Sequence, residues 1–200
     1  MKKLSLILVY LFFFSGSIFA STYSSDPKMF VSELVTDAIT KLSDKDLTKE
    51  EKATFIENVA IENVDINALG LYTLGELRKS ADKNSLENYQ QAFKKYFLKS
   101  LTSRLTDYSS NKFEIINAEK KSSNYTIVKS KIIATDKQPE IKIDWRIYTK
   151  NPDSPLIRDL IIEGLSLART QKEEFSSILN SNDNDINALF RTLEEFSKIK

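Results

Sequence analysis

The sequence predicts an α+β fold: a four-stranded antiparallel sheet covered on one face by amphipathic helices, with an apolar cavity between the layers. Three observations carry this. From Met29 to about Tyr108, apolar residues recur at helical spacing. From Lys112 to Glu163 the period falls to two, in four short runs separated by turn residues. Beyond Gly164 helical spacing returns and continues to about Phe196. Short strands joined by tight turns form a meander, and its apolar face has to be covered by the helices.

The elements follow in order. Val31, Leu34, Val35, Ala38 and Leu42 mark one face of a first helix starting near Met29. Thr48-Lys49-Glu50-Glu51 is a capping-box pattern that opens a second, with Phe55, Ile56 and Val59 inward. Asp65 caps a third, running through Leu69, Leu74 and Leu77. Gly70 and Gly75 fall inside it. Two glycines in a helix imply either close approach of another backbone or a break at one of them. After a polar link, Lys79 to Asn84, Ser85 caps the longest helix, about Leu86 to Tyr108. Its stripe is Tyr89, Phe93, Tyr96, Phe97, Leu101, Leu105 and Tyr108.

Strands are expected over Lys112–Ile116, Tyr125–Ala134, Glu140–Tyr148 and Leu156–Glu163, with turns at Asp136–Pro139 and Lys150–Pro155. The third is the clearest: Ile141, Ile143, Trp145 and Ile147 alternate with Lys142, Asp144, Arg146 and Tyr148. The fourth is apolar on both sides; Leu160 and Ile162 are assigned inward. It stops at Gly164 and hands over to helix. Thr170-Gln171-Lys172-Glu173 opens a helix with Phe175, Ile178 and Leu179, and a last helix spans Ile186 to Phe196.

Composition narrows the chemistry. Met1-Lys2-Lys3, an apolar run from Leu4 to Phe14, and Ser17-Ile18-Phe19-Ala20 read as a cleavable secretory signal peptide, residues 1–20, ahead of one domain, 21–200. The alternative is an uncleaved N-terminal anchor. The formal charge of +1 and the lack of a dense basic run argue against nucleic acid. Cysteine and histidine are both absent. Disulfides, Ser-His-Asp triads and the usual zinc and haem ligands are excluded together, and no cysteine near Ala20 could carry a lipid anchor.

Two segments resemble the MlaC family, the periplasmic phospholipid-binding component of the Mla, or toluene-tolerance, transport system. The first is Leu74-Gly75-Glu76-Leu77-Arg78, followed by Tyr89, Phe93 and Tyr96 on a long helix. The second is Asp159-Leu160-Ile161-Ile162-Glu163-Gly164-Leu165-Ser166, similar to the family's Asp-x-x-x-Glu-Gly-x-Ser. The order of elements agrees from about Met29 to Phe196. Three departures stand out: the family often has tyrosine at the place of Leu101, a basic residue where Glu173 and Glu174 stand, and a glycine near Asn182-Asp183.

The resemblance implies a monomeric periplasmic carrier, not an enzyme. It needs no cofactor and takes phospholipid as its ligand. Acyl chains would lie against Leu74, Leu77, Phe93, Phe97, Leu101, Ile132, Ile143, Trp145, Leu160 and Ile162. The implied partners are an inner-membrane ABC transporter complex and an outer-membrane lipoprotein complex, the carrier serving lipid asymmetry of the outer membrane. Two other readings stay open: an enzyme using Asp159 and Glu163 as a carboxylate pair on one strand face, and a protein-binding adaptor without ligand. Asp159 could equally pair with a basic residue on the sheet, and Glu163 cap the following helix.

Overall fold

The structure, a computed structural model, describes residues 23–106, 112–136 and 139–198. The expected signal peptide, the end of the long helix at Tyr108 and part of the Asp136–Pro139 turn lie outside the described residues.

The fold is α+β, with six helices and five strands rather than four among the described residues. Helix α1, Pro27–Ser43, starts behind Asp26, whose carboxylate accepts from the Met29 N–H, with Pro27 preset for the first turn. It buries Phe30, Val31, Leu34 and Leu42. Helix α2, Lys49–Asn63, has the capping box of Thr48 and Glu51. Helix α3, Ile66–Thr73, is capped by Asp65 but stops before Leu77. Gly75 takes φ +63° and a 3₁₀ turn, Gly75–Lys79, follows. The break at one glycine is therefore the outcome. Gly70 does mark a close approach, but of a side chain: a Cβ there would stand 2.9 Å from Phe93 Cδ1.

Helix α4, Lys83–Leu105, is capped by Asp82 rather than Ser85. Asp82 accepts both the N–H and the hydroxyl of Ser85, so the serine supports the cap instead of forming it.

Strands β1 (Phe113–Ser122), β2 (Tyr125–Ile132), β3 (Ile141–Tyr148), β4 (Leu156–Ile162) and β5 (Leu165–Ser166) pair in sequence order, all antiparallel. β1 runs well past the expected Ile116. Register shifts at Ile115/Asn117 and Lys120/Ser122 break its alternation, which conceals a bulged strand from a period-two reading. A further shift pairs Arg146 with Asp159 and Ile147 with Ile157, leaving Arg158 extra in β4. That bulge explains why β4 is apolar on both sides: Ile157 and Leu160 pack into the same core.

β4 does not pass straight into helix. Glu163 and Gly164 have φ of 49° and 83°, the backbone of a two-residue hairpin turn. β5 folds back on β4, and helix α5, Leu167–Asn180, follows one turn earlier than the Thr170 pattern suggests. Ser166 is its N-cap. Helix α6, Ile186–Lys198, closes the chain, after a turn in which Asp183 and Asn184 adopt the positive φ that a glycine would take.

Apolar packing divides into two cores. Phe30, Val31 and Leu34 of α1 pack on Val128, Trp145, Ile147 and Ile157 of the sheet. Tyr89 and Phe93 of α4 pack with Leu74, Phe175 and Leu179 and with Leu189 and Leu193 of α6.

Candidate functional site

Both motifs singled out in the sequence are chain turns with closed hydrogen bonding. In the second, the ends of the motif meet: the Ser166 hydroxyl donates to Asp159 at 2.7 Å, and the other Asp159 oxygen accepts the Ala168 N–H at 3.0 Å. Asp159 is buried, with Arg146 at 3.6 Å across the strand. Asp159 and Ser166 thus cap α5 together. Glu163 does not cap it; its carboxylate accepts from the Lys142 N–H. In the first motif, Gly75 ends α3 and Arg78 returns to donate to the Gly75 carbonyl at 2.8 Å, serving backbone groups left open at the helix end.

The carboxylate-pair arrangement is not formed. Glu163 stands in the turn, not on the strand, and each carboxylate already accepts from its own donors. The two phenols of α4, Tyr89 and Tyr96, are equally committed. Tyr89 shares a hydrogen bond with Thr73 at 2.9 Å, and burial pushes its ionisation far above the ordinary range. Burial also raises Tyr96, which donates to Gln171. Neither serves as a base at neutral pH.

The predicted wall residues fall into two groups. Ile132, Ile143, Trp145, Leu160 and Ile162 share one sheet face: Ile143 pairs with Ile162, Trp145 with Leu160, and Ile132 with Ile141 beside them. Leu74, Leu77, Phe93 and Phe97 gather in the helical core instead. Leu74 and Phe93 are sealed there, whereas Leu77, Phe97 and Leu101 on the helices, and Ile132, Ile143, Leu160 and Ile162 on the sheet, remain half-buried. Trp145 is 8% exposed, stands edge-on to Phe113, and donates its indole N–H to Ser130 at 2.8 Å. Ser130 in turn donates to the Ile143 carbonyl.

Open grooves among the described residues include one of about 540 Å³ beside Tyr72, Arg169 and Lys172, and one of about 290 Å³ between α1 and β1. None of the ten predicted residues lines either.

A tie between helices and sheet escaped the sequence reading. Asp65 caps α3 with one oxygen and takes Arg158 on the other, at 2.6 and 2.8 Å. Arg158 also donates to the Tyr125 hydroxyl and lies 3.4 Å from the centre of the Tyr148 ring. The bulge in β4 sets this arginine, and no spacing rule shows a bulge.

This is an α+β protein in which half-buried apolar positions on a long helix and on one sheet face stand beside two sealed cores. The chain belongs to the MlaC family, whose model, described as MlaC protein, matches residues 32–195. No curated protein matches it. Among solved structures, a phospholipid-binding protein from Ralstonia solanacearum, in complex with a phospholipid, shares the fold. Its TM-score is 0.68 at 18% identity, over 84% of this chain and 94% of that one.

Proposed function

We propose that the chain is a periplasmic phospholipid carrier that holds acyl chains in an apolar space and moves lipid between an outer-membrane lipoprotein complex and an inner-membrane ABC transporter complex. Membership of the MlaC family carries this reading. The Ralstonia solanacearum protein, which holds a phospholipid on the same fold, supports it. So does the contrast within the chain between sealed and half-buried apolar positions. Phe97, Leu101, Ile132, Ile143 and Ile162 would meet the acyl chains. Leu77 and Leu160, half-buried as well, would join them, and Leu74, Phe93 and Trp145 would back them from the two cores.

The energetics suit such a role. Each methylene withdrawn from water is worth about 0.8 kcal/mol, so two acyl chains with some thirty methylenes gain on the order of 20 kcal/mol. Lipid alone does not cross water at a useful rate. Bilayer and pocket are both apolar, so exchange between them is nearly balanced, and direction has to come from outside the carrier, for instance from a partner that consumes ATP. The test is mass spectrometry of protein purified from cells under native conditions. Phospholipid should co-purify in near-stoichiometric amount; consistently empty, folded protein would refute the reading.

A further inference from the structure

The corner where β5 runs into α5 exposes apolar side chains that the fold does not use. Leu165 and Leu167 are 69% and 42% exposed. One residue separates them, Ser166, and its backbone is extended, the spacing that sends two side chains to one side of the chain. The adjoining turn is exposed, and nothing stands within 4 Å of where a Gly164 Cβ would be. The acidic group at that tip, Glu163, is turned back onto the Lys142 N–H. Along α5, Arg169 and Lys172 border the groove of about 540 Å³, with the Lys172 ammonium 5.4 Å from the centre of the exposed Tyr72 ring. Glu173 borders the same groove, and Glu174 accepts from Gln171.

An exposed apolar tip, then two cations that outnumber the one carboxylate of the groove, and an aromatic ring, match the layers of a bilayer interface: acyl chains, phosphates, head groups. We propose that the β5–α5 corner is a contact surface for a lipid bilayer carrying anionic head groups. The proposal rests on the carrier reading for its purpose: it holds the protein against the membranes in which its partner complexes sit.

The experiment is co-sedimentation of the purified protein with vesicles of phosphatidylcholine alone and with phosphatidylglycerol added. Two double variants accompany it, Leu165→Ser with Leu167→Ser, and Arg169→Gln with Lys172→Gln; all four positions lie outside the two cores, and circular dichroism checks the fold. The wild type should bind the anionic vesicles and weaken as salt is raised. The leucine pair should weaken binding about tenfold or more, and the cation pair should abolish the preference for phosphatidylglycerol. No vesicle binding by the wild type, or equal binding by the variants, overturns the proposal. So does a leucine pair that alters only the oligomeric state, which points to a second copy. Phospholipid assayed in the same samples separates the two readings: loaded protein that ignores vesicles overturns the contact alone, and empty protein overturns the carrier.

Discussion

Gly70 and Gly164 have to be small for different reasons, and alanine at each separates them. At Gly70 the new methyl meets the ring of Phe93, a residue 1% exposed and ringed by Tyr89, Tyr96, Phe97 and Phe175. Overpacking there should cost about 1–3 kcal/mol. At Gly164 the methyl meets nothing, and only the φ of 83° resists, at about 1 kcal/mol. Valine at 164, branched at Cβ, should cost about 1–3 kcal/mol. Denaturant midpoints should therefore fall further for Gly70→Ala than for Gly164→Ala. Ser130→Ala removes the acceptor of the Trp145 indole and should cost about 1–3 kcal/mol, with a shift in tryptophan emission. Lipid-loaded and stripped wild type should share one emission maximum, because Trp145 belongs to the α1 core; a difference would set acyl chains against the indole. The alternation Ile141-Ile143-Trp145-Ile147 was enough to put the indole on the apolar face. Its partner depends on cross-strand register, which no single strand records.

At the scale of elements, the joints decide stability. Asp159→Ala would strip the Ala168 N–H and the Ser166 hydroxyl of their acceptor in a buried place, at a cost of about 2–4 kcal/mol. Thermal or chemical unfolding measures it; a near-neutral result would mean that water replaces the carboxylate. Asp65 and Arg158 should be coupled by about 1–3 kcal/mol in a double-mutant cycle of Asp65→Ala and Arg158→Ala. Additive losses would show that the pair acts as two separate groups. Periodic elements were legible because burial imposes the period: α1, α2, β3 and α6 lie close to where their apolar residues put them. The bulged β1, the Asp82 cap and the early start of α5 were not, because each depends on competition among neighbouring polar groups rather than on burial.

For the whole molecule, the meander was legible and the division into two cores was not, since periodicity says which face of a helix is buried but not against what. Ile143→Glu tests the sheet side of the carrier proposal. A carboxylate beside Ile162 should drive out bound lipid while the far-ultraviolet circular dichroism is retained; full lipid loading would set Ile143 apart from the ligand. The pairing of every strand with its successor has a bearing on time. Hairpins of neighbours close early, because little chain has to be gathered. The Arg158–Asp65 tie spans 93 residues and joins the sheet to helices made far upstream, so it should form after the rate-limiting step. Cutting it would then leave the refolding rate nearly unchanged and hasten unfolding. Stopped-flow measurement of Arg158→Ala should show the whole loss of stability in the unfolding arm, making this arginine the timer of how long the folded carrier lasts.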